Sequence, residues 1–144
     1  MAEIIADTVA KEGAQLRLKE VANASNEDLV WADGIIIGSP VYFGLPAGEI
    51  KKFIDDSISI RRQLENKVGA AFVSSGHRAG GRETTIMALL EALIVHGMVV
   101  CGDPISSGGH FGAVASGHPD DRSFQECTGL AKKVVALAAK LQGR

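Results

Sequence analysis

The chain has 144 residues, a length that fits one domain with a sizeable core. Apolar residues make up 46% and charged residues 22%, a balance that excludes a disordered chain. A net charge of -2 argues against nucleic-acid partners, and no apolar run reaches the roughly 18 residues that would cross a bilayer.

In chain order, Met1 to Gly13 reads as a helix with Ile5 and Val9 four apart and Gly13 as its stop. Its acidic, amphipathic start is not that of a signal peptide. Gln15 to Val21 alternates Leu16 and Leu18 with Arg17 and Lys19, as expected of a half-exposed strand near a sheet edge. Ser25 and Asp28 cap a short helix. Ile35 to Ile37 is a continuous apolar run, the pattern of a strand covered on both faces. A helix over 47–60 places Ile50, Phe53, Ile54 and Ile58 on one stripe. Val68 to Val73 is the next buried strand, and a helix over 82–96 turns Ile86, Leu89, Leu90 and Leu93 inward. Met98 to Cys101 and Ala113 to Ala115 are the remaining strands. Ser123 and Glu126 predict a capping box for a last helix carrying Leu130, Val134, Leu137 and Leu141.

Strands and helices alternate over the whole length, so the expected fold class is α/β, one domain over 1–144, with a parallel sheet covered by helices on both faces. Ligands of such sheets bind beyond the carboxyl ends of the strands. Three loops therefore draw attention. In the first, Ser39, Pro40, Val41, Tyr42, Phe43 and Gly44 combine two large aromatics with glycine and proline. The aromatics offer stacking surface for a flat ring, or they are ordinary core around a turn. In the second, Ser75, Gly76, His77, Arg78, Ala79 and Gly80 join a strand to a helix, where free N–H groups face any ligand. A flexible connection is the plainer reading. In the third, three glycines surround His110 and Phe111, and His110 is either a ligand or proton donor or a solvated surface histidine.

Other chemistries lack support. There is no Walker A loop, no GxGxxG, no GxSxG elbow and no metal-ligand spacing among the histidines and the two distant cysteines. No side chain is singled out as catalytic. Two unpaired cysteines fit a reduced, cytoplasmic protein.

Taken together the loops carry a resemblance. Gly38-Ser39-Pro40-Val41-Tyr42-Phe43-Gly44 followed by Phe53-Ile54-Asp55 resembles the second flavin loop of flavodoxin-like proteins. Gly80-Gly81-Arg82-Glu83-Thr84-Thr85, His96-Gly97-Met98-Val99 and Phe111-Gly112-Ala113 are similar, in the same order, to segments of the Trp-repressor-binding-protein family of NAD(P)H:quinone oxidoreductases. The resemblance runs from about residue 1 to residue 141. It implies a flavodoxin-like doubly wound sheet, FMN at the strand ends and NAD(P)H as electron donor. It also implies a quinone or a redox partner protein as acceptor, and a homodimer or homotetramer. Val41, Tyr42 and Phe43 would lie along the isoalloxazine ring, and Ser75 to Gly80 would offer N–H groups to its polar edge. His110, in the third loop directly before Phe111-Gly112-Ala113, is counted with the cofactor-binding residues.

Two departures follow from the same comparison. Flavodoxin-like chains open with a central strand and a phosphate-cradling loop, whereas here Met1-Ala2-Glu3 already reads as the first helix. The expectations are a truncated start, an unresolved first segment, or a rearrangement in which the strands at 15–21 and 35–37 pair directly or chains exchange a strand. Truncation is the preferred one, and with it weak or no FMN binding. Val95-His96 also stands where the family has a His-His pair, and the Cys101–Gly109 connection is short, which bears on quinone specificity and on tetramer formation. Alternative readings are a flavodoxin electron carrier, which turns over no substrate, and a flavin-free module of the same fold.

Overall fold

The computed structural model describes residues 1–143. Its sheet is built on β3 (Val68–Ser75), the most buried strand. β1 (Gly34–Tyr42) runs parallel along one side of it, from the pair Gly34 and Val68 to the pair Pro40 and Ser74. β4 (Val99–Val100) and β5 (Ala113–Ser116) share the other side, β4 beside Val68–Gly69 and β5 beside Phe72–Ser75. They are two pieces of one edge strand interrupted by residues 101–112. β2 (Leu45–Pro46) folds back antiparallel on the end of β1.

Helices cover both faces, as parallel strands require. α1 (Ala2–Lys11) and the long α5 (Asp121–Leu141) lie on one face. There Ile5, Val9, Leu130 and Val134 pack on Val68, Ala70 and Ala113. α4 (Arg82–Val95) lies on the other, with Ile86, Leu89 and Leu90 against Ala71 and Val73. Small residues in β3 permit this approach: a Cβ at Gly69 would come within 3.1 Å of Leu93. α3 (Gly48–Asp56) is shorter than the expected helix over 47–60, because the chain tightens into a 3-10 helix over Ser57–Gln63. Ile58 is consequently left exposed rather than on the inward stripe. The buried thiols of Cys101 and Cys127 are free, and no described helix is long and apolar enough to cross a membrane.

Two further expectations are corrected. Residues 15–20 form no strand; they are exposed, irregular chain, followed by a 3-10 turn over Val21–Asn23. They do not pair with β1. Their basic groups are drawn to α2 (Asn26–Trp31) instead: Arg17 and Lys19 reach Asp28 at 2.9 and 2.7 Å, and Arg17 stacks over the Trp31 ring. Alternation alone does not make a strand when no partner edge is beside it. The capping box of α5 is the second correction. It is formed by Asp120 and Ser123, each side chain bonding the other residue's N–H. Glu126 is buried and turns inward, accepting from the Val114 N–H and from Arg122. The α2 box is as expected, with Ser25 and Asp28 reciprocally bonded.

Candidate functional site

Strand β1 delivers the first loop. Tyr42 pairs with Leu45 across a two-residue turn, Phe43-Gly44, in which both residues have positive φ (52° and 76°). That is the geometry of a tight primed hairpin turn. A bulky non-glycine residue in that region is uncommon and costs energy. The side chain it presents is fully solvent-exposed, and Tyr42 beside it is 59% exposed. The two aromatics are therefore not core. Burial does not explain them, and a strained turn holds Phe43 outward where a flat ligand can meet it.

The second loop leaves β3 at Ser75 and enters α4 at Arg82. It is braced from within. The Ser75 hydroxyl donates to the His77 carbonyl (2.8 Å), the Gly80 N–H donates to the same oxygen, and the Ala79 N–H donates to His77 Nδ1. A Cβ at Gly80 would stand 2.9 Å from that carbonyl. The N–H groups of Gly76, His77 and Arg78 make no hydrogen bond among the described residues, and all three residues are exposed. The N-cap of α4 is Gly81, with no side chain to satisfy the first helical N–H groups. The loop thus presents a patch of unengaged donors at the positive end of a helix.

The two loops touch. The Thr84 hydroxyl donates to the Gly44 carbonyl at 2.8 Å, and a Cβ on Gly81 would be 2.6 Å from the Gly44 Cα. Glycine at 44 and 81 is what lets the backbones close up. Ser39 works as a brace: it is buried, accepts from the Ala47 N–H at 3.0 Å and donates to the Pro40 carbonyl at 2.7 Å. Of the sequence-selected residues, the structure brings together 39–44 and 75–80. It places His110 elsewhere. The buried carboxylate of Asp103 accepts from the Gly109 and His110 N–H groups, which holds that loop against α5, where Gly129 meets Pro104 and Ser107. β5 begins opposite Phe72, so His110 precedes the strand ends. The loop that reaches them on this edge is 117–120, tied by the Gly117 N–H to the Ser75 carbonyl at 2.7 Å. It carries exposed His118, which sequence reasoning passed over; the only signal was a Gly-His-Pro-Asp turn ahead of the true capping box.

The loops bring two exposed aromatics, Tyr42 and Phe43, and the unengaged backbone donors of Gly76, His77 and Arg78 to the same end of the sheet, groups of the kind a flavin ring takes. The described residues before α1 offer no phosphate cradle: its N-cap is Met1, with no side-chain hydrogen bond. The thiols do not join the site. Burial raises the pKa of Cys101 and pushes that of Cys127 up to about 11, so both stay protonated and unreactive.

Comparison with known proteins supplies the family. The family described as NADPH-dependent FMN reductase matches residues 2–112. A protein named flavodoxin from Aquifex aeolicus is 36% identical over 96% of this chain and 79% of its own length. An NAD(P)H dehydrogenase (quinone) from Archaeoglobus fulgidus is 35% identical over 97% of this chain and 77% of its own. Among solved structures, a flavodoxin, WrbA-like protein from Agrobacterium tumefaciens superposes with a TM-score of 0.78 at 25% identity, covering 96% of this chain and 90% of that one. The two-electron reduced flavodoxin of Megasphaera elsdenii, at 21% identity and a TM-score of 0.70, shares the fold. FMN, with NAD(P)H as donor, is the cofactor set that the family and these relatives indicate. The chain belongs to the NADPH-dependent FMN reductase family and has its flavodoxin-like fold.

Proposed function

We propose that this protein is an FMN-dependent oxidoreductase that passes electrons from NAD(P)H to a quinone or a similar acceptor. The observation that carries the reading is the junction of the first two loops, with Tyr42 and Phe43 exposed beside the unengaged N–H groups of Gly76, His77 and Arg78. When bound, the flavin supplies the two-electron chemistry. The chain's own part is positional. Tyr42 and Phe43 give stacking surface, and the 76–78 amides donate to polar atoms at the ring edge. Thr84, holding Gly44, keeps the two walls at a fixed separation. No protein nucleophile is required.

The test begins with the 144-residue chain mixed with excess FMN, desalted, and read by visible absorption and flavin fluorescence. Weak retention of quenched flavin is the expected result, with riboflavin retained nearly as well if the ring rather than the phosphate is what the loops hold. Absence of retained flavin overturns the reading for this chain. NADH oxidation in the presence of benzoquinone then separates a reductase from an electron carrier, the reading favoured by similarity to a protein named flavodoxin. A carrier gives no turnover.

A further inference from the structure

Helix α4 keeps one stripe toward the sheet. Ile86, Leu89 and Leu93 on that stripe are buried, the first two against Ala71 and Val73. Arg82 stands four residues before Ile86 and seven before Leu89, so it continues the same stripe by one turn, toward the carboxyl ends of the strands. An arginine thus occupies a place where the pattern calls for an apolar residue. Its side chain is only 21% exposed. Its Nε is buried with no hydrogen-bond partner, the one such side-chain atom among the described residues.

A buried donor without an acceptor is costly, and more so on a charged group. Little in the chain offsets that cost. The ion pair of Arg82 is with Glu83, 3.8 Å from Nη2 and itself 71% exposed, a contact of the weak surface kind. The helix works against the cation: Arg82 is the first residue of α4, at the end whose dipole favours anions. The unengaged N–H groups of Gly76, His77 and Arg78 add positive potential on the loop just before it. Helical side chains lean toward the N-terminus of their helix, which carries the guanidinium toward that loop. A cation, a helix start and unengaged amides thus converge at the strand ends, and all three are complementary to negative charge.

We infer that Arg82 is the counter-charge for the reduced flavin ring. The inference rests on the flavin reading of the two loops. The oxidised ring is neutral. The two electrons and one proton that NAD(P)H delivers leave the ring with one negative charge, spread over N1 and the C2 carbonyl at its polar edge; a second proton cancels it. That is the edge which the 76–78 amides serve. A guanidinium beside them stabilises the anion without the second proton, so the site holds the reduced ring more tightly than the oxidised one. Charge placed there tunes the electronics of the flavin, which is the protein's part in such chemistry. Arg82 acts on the cofactor alone and leaves the choice of acceptor to other residues.

The experiment titrates the 144-residue chain, under nitrogen at about pH 8, with oxidised and with dithionite-reduced FMN. Binding is followed by the amide signals of residues 76–78, which report weak binding as well as strong. The wild type should bind the reduced form about tenfold more tightly, equivalent to a rise of about 30 mV in the two-electron potential. Arg82→Met, which suits the apolar stripe, should fold with an unfolding midpoint at least as high and bring the two affinities within about twofold of each other. Arg82→Lys, which keeps the charge, should recover part of the preference. Riboflavin should behave as FMN does, because the charge concerned is on the ring. Weakening of both forms of FMN by Arg82→Met, with riboflavin unaffected, would assign Arg82 to the phosphate and overturn the inference. Equal weakening of both forms of both flavins, or a marked loss of stability, would give Arg82 a structural role and also overturn it. A wild type without preference overturns it while the flavin site stands. No binding of either form overturns the flavin reading itself, and this inference with it.

Discussion

β1 and β3 have much the same composition but different surroundings. β3 has a strand on each side and helices on both faces, and Val68, Ala70, Ala71 and Val73 are all 0% exposed. β1 has β3 on one side and a cleft on the other; Ile36 and Ile37 remain half-exposed, and its main chain is bonded outward only at its end. An apolar run says that a strand can be buried. Whether it is buried depends on a neighbour at each edge.

The contrast can be broken by mutation, and the largest effect is expected on the closed side. Leu89→Ala, at a fully buried site over β3, should cost about 2–5 kcal/mol in urea unfolding. Phe53→Ala, on the open side where the ring lines the cleft, should cost about 1 kcal/mol or less, since water already reaches it. Equal costs would mean that the cleft closes in solution.

A second effect belongs to the closed core and appears at high pH. Burial raises the Cys127 thiol from 9.0 to about 11. The folded state disfavours the thiolate, so this stabilisation is complete below about pH 9 and is lost as the pH rises toward 11. The loss should approach about 2 kcal/mol, and Cys127→Ala should flatten it in unfolding curves taken between pH 8 and 11.

Next comes the exposed turn at the end of the open strand. Phe43→Ala should weaken flavin retention about tenfold and leave the unfolding midpoint nearly unchanged, because the side chain is fully exposed. A large loss of stability would show that the ring packs against the protein.

The smallest effect tests what holds residues 15–20 away from β1. The ammonium of Lys19 and the guanidinium of Arg17 hold the Asp28 carboxyl well below the usual carboxylate range. That stabilisation is present above the unfolded value near 3.8 and is lost as the pH falls through the folded one. Wild type should therefore exceed Asp28→Asn modestly at pH 6, with the difference shrinking below pH 4. No difference at pH 6 would leave the displacement of residues 15–20 without its electrostatic cause.

Much was legible in the sequence because it is local. The periodicity of α1, α4 and α5, the apolar runs of β1 and β3, and the Ser25 box each depend on residues a few positions apart. The glycine-rich loops at 39–44 and 75–80 could be assigned to strand ends for the same reason. What failed was what depends on partners. Residues 15–20 alternate like a strand and form none; Arg17 and Lys19 reach Asp28 of α2 instead. The α5 box went to Asp120 and Ser123 because Glu126 is needed inside, bonded to the Val114 N–H. Tyr42 and Phe43 could be read as core or as contact surface until the positive φ of the turn turned them outward. His110 seemed to belong with the other loops until Asp103 and the register of β5 fixed it lower on the far edge. By itself the sequence determined the order of elements and the residues at each strand end, through near-neighbour physics. Only the tertiary structure decided which edges are filled, which loops meet and which main-chain groups go unpaired, because those follow from hydrogen bonds and packing between segments distant in the chain.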